Sequence, residues 1–338
     1  MLGIDFSRPL RAKERSAFEY RRDRLAGAFG RSVVSAAEAL DRFGSLRRGL
    51  TLRNEFVCLD APIDENAASD RRAPRRELRP SATRVSTSQG VALRLYLAGL
   101  AIAQMTTPPG HRARLPQLEI ASFESERGWT DVIASGAISS GRGATHSSAR
   151  DKKARSVRAA LDTLSEAGLV ELPGDPGRRG RHEGFTLLHE AGRQLSGDRR
   201  PYVVPRLRES STFAVPAGFI TNGWIHVLED SEITLLLMVA CGLHALRPDP
   251  DSDVREGEVA IPAWARLRHY GIHRDPFSAA RKTLDWYGLL HVREIDRHDD
   301  GRAENEDARL HRLALKPDGF DADALTSVRA AIDAQLAR

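Results

Sequence analysis

Apolar residues return every three or four positions through several stretches of the chain, the spacing that lines one face of a helix. Arg11–Phe29 is dense in Arg, Glu and Ala, and Ser35–Leu50 carries Ala36, Ala37, Leu40, Phe43 and Leu46 in helical register. Together they predict a helical N-terminal arm over residues 1–58. From residue 59 to residue 90 the periodicity is lost. Asp60, Pro62 and Asp64 lead into the Arg/Pro-rich run Arg71–Arg84, which has too little apolar surface to offset chain entropy and so predicts a linker. Val91–Met105 then reads as a strongly apolar helix closed by Thr-Thr-Pro-Pro-Gly.

Two later stretches repeat one pattern. Val157–Leu172 and Phe277–Val292 align at an offset of 120 residues: Ala159 and Ala160 match Ala279 and Ala280, Leu164 matches Leu284, and Gly168 matches Gly288. In each, an apolar-faced helix runs to a glycine suited to the left-handed C′ position, and a short strand follows. A polar loop and a second strand complete the unit, Pro173–Gly184 before Phe185–Leu188 and Asp296–Arg309 before Leu310–Leu315.

The upstream context corresponds too. In the first unit Leu115–Ala121 predicts a strand and Glu124–Ala134 a helix containing Trp129; the Gly/Ser-rich turn Gly136–Ser148 leads into the helix Ser148–Ala167. In the second, a core helix capped near Asp230 precedes a short helix with Pro262 in its first turn. Asp275-Pro276 predicts the cap and first residue of the helix after that. A C-terminal helix is expected over residues 321–338.

This order, with the Leu-x-x-Ala/Tyr-Gly-Leu endings Leu164–Leu169 and Leu284–Leu289, resembles the winged helix-turn-helix DNA-binding superfamily. The likeness covers roughly Val91–Leu188 and Thr212–Leu315, about three fifths of the chain. The tandem arrangement is similar to that of bacterial regulators and plasmid replication initiators. It implies a mainly α fold with small β wings (α+β), with winged-helix unit 1 over residues 91–200 and unit 2 over residues 212–315. The helix before each glycine is then a recognition helix.

On a helical wheel the first such helix turns Ala154, Val157, Leu161 and Leu164 to the core. Ser148, Lys152, Arg155 and Ala159 fall opposite, flanked by Ser156 and Arg158. That face holds cations and small groups without a bulky apolar side chain, as entry into a major groove requires. Ser148 and Asp151 have the spacing of a capping box. Ser148, Lys152 and Arg155 are expected at base edges. Arg150, Lys153, Arg158 and the wing residues Arg178, Arg179 and Arg181 are expected at phosphates. The second unit differs. Its wing Asp296–Arg309 holds six acidic residues against three arginines, which phosphates would repel. Arg274 and Lys282 are at most auxiliary there. The expectation is a structural unit, or a surface for a protein partner or a second copy of the chain, with Trp286 or Tyr287 exposed near the helix end.

Charge sharpens the division. The chain of 338 residues carries a formal net charge of only +5, but 18 basic face 12 acidic residues over 1–90, 12 face 8 over 142–200, and 17 face 22 over 201–338. Any polyanion is therefore expected away from the C-terminal part. No apolar run is long enough for a membrane span, and no secretory signal is evident. The two cysteines, Cys58 and Cys241, lie too far apart for a zinc ribbon, and a reducing cytoplasm is the expected location.

Enzyme signatures are wanting. Gly141–Ser148 lacks the Gly-Lys-Ser/Thr of a P-loop, His182-Glu183 and His189-Glu190 miss the HExxH spacing, and Gly271 interrupts His269 and His273. No catalytic residue, cofactor or metal site is expected. The leading expectation is a cytoplasmic, sequence-specific double-stranded DNA-binding protein acting in transcription regulation. Two alternatives stand beside it: a replication initiator of a plasmid or mobile element, and a winged-helix protein-interaction module that does not bind DNA.

Overall fold

The computed structural model describes residues 10–69, 72–87, 90–122, 128–140, 147–178, 180–194, 200–206, 209–246, 257–293 and 311–338. It is an α+β molecule in which helices dominate and the strands form small antiparallel sheets. Helices α1 (Ala12–Ala26) and α2 (Ala28–Asp41) come first, followed by strand β1 (Leu50–Arg53). A short helix α3 (Ser81–Val85) precedes α4 (Ala92–Thr106), whose residues Ala92–Ala103 are buried apart from the half-buried Arg94. Helix α5 (Ala149–Glu166) packs on α4 and leads into strands β2 (Val170–Glu171) and β3 (Thr186–Leu187), paired with Val170 opposite Leu187.

Strand β4 (Thr212–Val215) returns to pair with β1, Leu50 opposite Val215. Short helices α6 (Gly218–Thr221) and α7 (Trp224–Val227) precede α8 (Asp230–Cys241). Then follow β5 (Val259–Ala260), α9 (Ala263–Arg268), α10 (Arg274–Trp286), β6 (Leu290–Arg293), β7 (Arg312–Leu315) and α11 (Ala324–Leu336). The last three strands form one antiparallel sheet in the order β5-β7-β6, and α10 packs on α8. The described elements of residues 230–315 thus run helix, strand, helix, helix, strand, strand. The acidic loop Asp296–Arg309 lies outside the described residues.

The repeated pattern seen in the sequence has local causes that hold. Gly168 and Gly288 both take the left-handed conformation just beyond their helices, with φ of 75° and 74°. Ala154, Val157, Leu161 and Leu164 of α5 are all buried, and Ser148 with Asp151 forms the capping box. The start of α10 is corrected by two residues: His273 is its N-cap and Asp275 already lies inside the first turn. Likewise Glu229, rather than Asp230, caps α8 through a box with Glu232, and Pro262 is the N-cap residue of α9.

Three expectations need larger correction. First, residues 59–90 are not a free linker. Pro80, Ser81, Ala82, Thr83 and Val85 are buried, and the arginines, counted in the sequence as solvated charge, fold the segment on itself by donating to main-chain carbonyls. Arg79 Nε reaches the Pro74 carbonyl at 2.9 Å, and Arg84 reaches those of Glu77 at 2.6 Å and Arg79 at 2.9 Å. The Thr83 hydroxyl donates to the Tyr270 carbonyl at 3.0 Å, tying the segment to the second unit.

Second, the helix expected over Glu124–Ala134 is absent from its described part, which turns and bends over Trp129–Ile133. The Trp129 and Thr130 amides donate to the Glu119 and Ile120 carbonyls, at 2.9 and 3.0 Å, instead of to carbonyls one helical turn back. Leu115–Ala121, expected as a strand, is irregular and serves as that acceptor. Trp129 is buried against Phe185, 4.8 Å between ring centroids.

Third, the N-terminal helices are not a separate arm. α1 packs on α11, and α2 on α6 and α7. Arg21 of α1 makes a buried bidentate pair with Glu232 of α8, at 2.7 and 2.8 Å. Arg53 of β1 meets the fully buried Glu190 at 2.5 Å and Glu209 at 2.7 Å. Burial pushes the Glu190 carboxyl up, and Arg53 pulls it back. No described helix is long and apolar enough to cross a membrane.

Candidate nucleic-acid interface

Helix α5 has 18 residues, which makes it about 27 Å long. Its outward side carries Asp151, Arg155, Ser156, Arg158 and Ala159, all exposed, and no large apolar group. Arg158 is exposed and has no ion-pair partner among the described residues. Arg155 is exposed as well and lies along the helix toward its start, with Nε 3.4 Å from the Asp151 carbonyl and a terminal nitrogen on the Ser147 hydroxyl.

The wing is fastened to this helix. Asp162, one turn after Arg158, receives Arg181 Nη1 at 2.9 Å and lies 3.0 Å from His182 Nε2. The loop narrows where Gly174 passes Arg181: a Cβ at 174 would sit 2.9 Å from the Arg181 Cα, so a side chain there would open the neck. Pro173 before the neck and residues 175–178 beyond it are exposed, and Arg178 projects from this strip without an ion pair among the described residues. Arg179 lies outside the described residues.

Other residues expected at the interface are engaged inside the protein. The Ser148 hydroxyl accepts from the Asp151 amide at 3.0 Å and donates to the Asp151 carboxylate at 2.6 Å, so the cap occupies it. Hydrogen bonds from the Ser148 hydroxyl and the Ser148 main-chain amide hold the Asp151 carboxyl below its usual range. Arg150 donates to the Ala121 carbonyl at 3.0 Å. Lys152 is half-buried, with Nζ 2.8 Å from the Ile138 carbonyl and 2.6 Å from the Ser140 hydroxyl. Lys153 reaches Ser32 of α2 at 3.3 Å. Arg181 is held by Asp162 as described. The Ser148–Asp151 cap was legible in the sequence, but wheel positions gave no sign of the partners of Arg150, Lys152, Lys153 and Arg181, which lie outside the helix or, for Arg181 of the wing, on it.

In the second unit α1 covers the far half of α10. Lys282 pairs with Glu14 at 3.4 Å and lies over the Trp286 ring, and Trp286 packs on Phe18 at 5.5 Å. Tyr287, expected to be exposed, is buried. Arg274 at the near end remains exposed.

One grouping was not expected. Cys58, His244 and His269 bring a thiol and two imidazoles together, with ligand atoms all within 4.8 Å of one another. Among the described residues this is a set that can hold a metal ion, and its members are too far apart in the chain for any spacing rule to reveal it. No protein-family model, curated protein or solved structure matches this chain.

Proposed function

We propose that the protein binds double-stranded DNA through α5 and the first wing, with Arg155 and Arg158 on the helix and Arg178 on the wing as the contacting cations. The observation that carries this reading is the union of the two elements. Asp162 ties the wing to α5 one turn beyond Arg158, so a helix face of cations and small residues adjoins a basic strip. An α-helix with such a face suits the major groove, and a neighbouring basic loop suits phosphates or the adjacent minor groove. The described elements of residues 230–315, in the order helix, strand, helix, helix, strand, strand, support a winged-helix reading of the fold. Because α1 covers Lys282 and Trp286, the second unit serves internal packing, with Arg274 as its exposed cation.

Selection of bound duplexes from a random pool tests the reading. A consensus site is expected, with Arg155→Ala relaxing the preference at one or two positions and Arg178→Ala weakening all sequences alike. A palindromic site assigns a dimeric regulator, and direct repeats assign a replication initiator. Failure to enrich any duplex, with no binding by the intact protein, sinks the proposal.

A further inference from the structure

The geometry points to a transition-metal site, suited to Zn²⁺, formed by Cys58, His244 and His269. These residues come from three segments: the stretch after β1, the loop that ends α8, and the end of α9. The thiol and imidazole donor atoms lie within 4.8 Å of one another. A tetrahedral zinc centre with bonds of about 2.0–2.3 Å places its ligand atoms about 3.4–3.7 Å apart. Closure therefore takes movements of about an ångström, small for a side chain on a loop such as His244.

The imidazoles are set up as ligands in two independent ways. His269 Nδ1 stands 2.7 Å from the Leu59 carbonyl. A carbonyl only accepts, so Nδ1 carries the proton and the lone pair sits on Nε2. Metal-bound histidines are oriented by this kind of outer bond, and here the acceptor belongs to the residue next to Cys58. The segment after β1 is itself held in place, with the Leu59 amide on the His269 carbonyl at 2.9 Å and the Ile63 amide on the Arg268 carbonyl at 2.8 Å.

His244 is the second case. It takes a left-handed backbone conformation, φ 55°, the only non-glycine to do so among the described residues. This turns its ring onto His269, 3.8 Å between centroids. Its Nε2 is buried and has no hydrogen-bond partner among the described residues. Strained backbone, a stacked imidazole pair and an unsatisfied nitrogen are poorly explained by packing alone. A bound cation accounts for all three.

The donor set selects the ion class. One sulfur and two nitrogens suit Zn²⁺ or Co²⁺ and not the oxygen-seeking Mg²⁺ or Ca²⁺. On binding, the Cys58 thiol releases its proton to solvent and the thiolate forms the metal bond, while both imidazoles bind neutral. Three protein ligands leave a fourth position for water. Cys241 lies outside the set and contacts Asn54 at 3.6 Å. The site would clamp the N-terminal segment to the second unit, independently of DNA.

Cobalt reports the ligands directly. The full-length, untagged protein, treated with chelator and titrated with Co²⁺, is expected to saturate at one equivalent. Intense visible bands of a tetrahedral centre and a thiolate-to-cobalt charge-transfer band in the near ultraviolet should appear together, and Zn²⁺ should displace both. Cys241→Ser keeps the charge-transfer band and Cys58→Ser loses it. His244→Asn, in which asparagine tolerates the left-handed backbone, weakens Co²⁺ binding by more than about tenfold. The proposal is overturned by wild-type protein that takes up no stoichiometric cobalt, by a charge-transfer band that survives Cys58→Ser, or by His244→Asn with unchanged affinity.

Discussion

His226 gives the sharpest prediction about stability. It lies in α7, is 1% exposed, and neither ring nitrogen has a hydrogen-bond partner among the described residues. Burial, assisted by the nearby charge of Arg94, holds its pKa down to about 3 against an ordinary 6.5. In the unfolded chain the imidazole takes a proton as pH falls through 6.5; in the folded protein it stays neutral until about pH 3. The unfolded state therefore binds more protons across this window, and stability falls with pH. Between pH 7.5 and 5.5 the loss from this one residue is about 1.4 kcal/mol.

Substitution isolates the effect. His226→Leu is close in volume and removes both the titration and two unsatisfied nitrogens, so at pH 7.5 it should be neutral or stabilising by ~1 kcal/mol. Urea denaturation followed by tryptophan fluorescence at both pH values gives the quantity needed. Wild type should lose about 1.4 kcal/mol more than the variant over the interval. Parallel losses in the two proteins would refute the reasoning, because His226 would then titrate alike in folded and unfolded states.

Other consequences are open to measurement. Arg53→Ala leaves Glu190 buried without its cation and should lower unfolding free energy by about 3–5 kcal/mol, read by the same urea titration. Trp129→Ala should cost about 3–5 kcal/mol, because Trp129 fills the core beneath the turns that replace a helix. Lys282→Ala should leave duplex affinity unchanged in a gel shift, since Lys282 is engaged with Glu14 and Trp286; a loss equal to that of Arg155→Ala would reverse the assignment of the two units.

What the sequence revealed and what it hid divide along physical lines. Local periodicity placed α5, its buried face and its cap, because Ala154, Val157, Leu161 and Leu164 repeat within one helix. The glycine turns at Gly168 and Gly288 are equally local. Tertiary hydrogen bonding defeated the rest. Nothing in the composition of residues 71–84 says that arginines will cap carbonyls of the same segment. Nothing near Trp129 says that its amide will pair with Glu119. The candidate interface was legible as a set of cations but not by which of them point outward: Arg158 and Arg178 are exposed, Arg155 is exposed while bonded to Asp151 and Ser147 beside it, and Lys152, Lys153, Arg150 and Arg181 meet partners from other segments. Cys58, His244 and His269 are brought together only by the packing of the N-terminal segment on the second unit.

The central claim is that the outward arginines of α5 and its wing meet DNA phosphates and bases. It is tested most directly by the salt dependence of duplex affinity, measured by fluorescence anisotropy for wild type and for Arg155→Ala/Arg158→Ala/Arg178→Ala. Each phosphate contact contributes about 0.9 to the slope of log affinity against log salt. The triple variant should bind more weakly and, with the two phosphate contacts of Arg158 and Arg178 gone, with a slope flatter by about 2. Identical slopes and affinities for the two proteins, or wild-type binding that ignores salt, would contradict it.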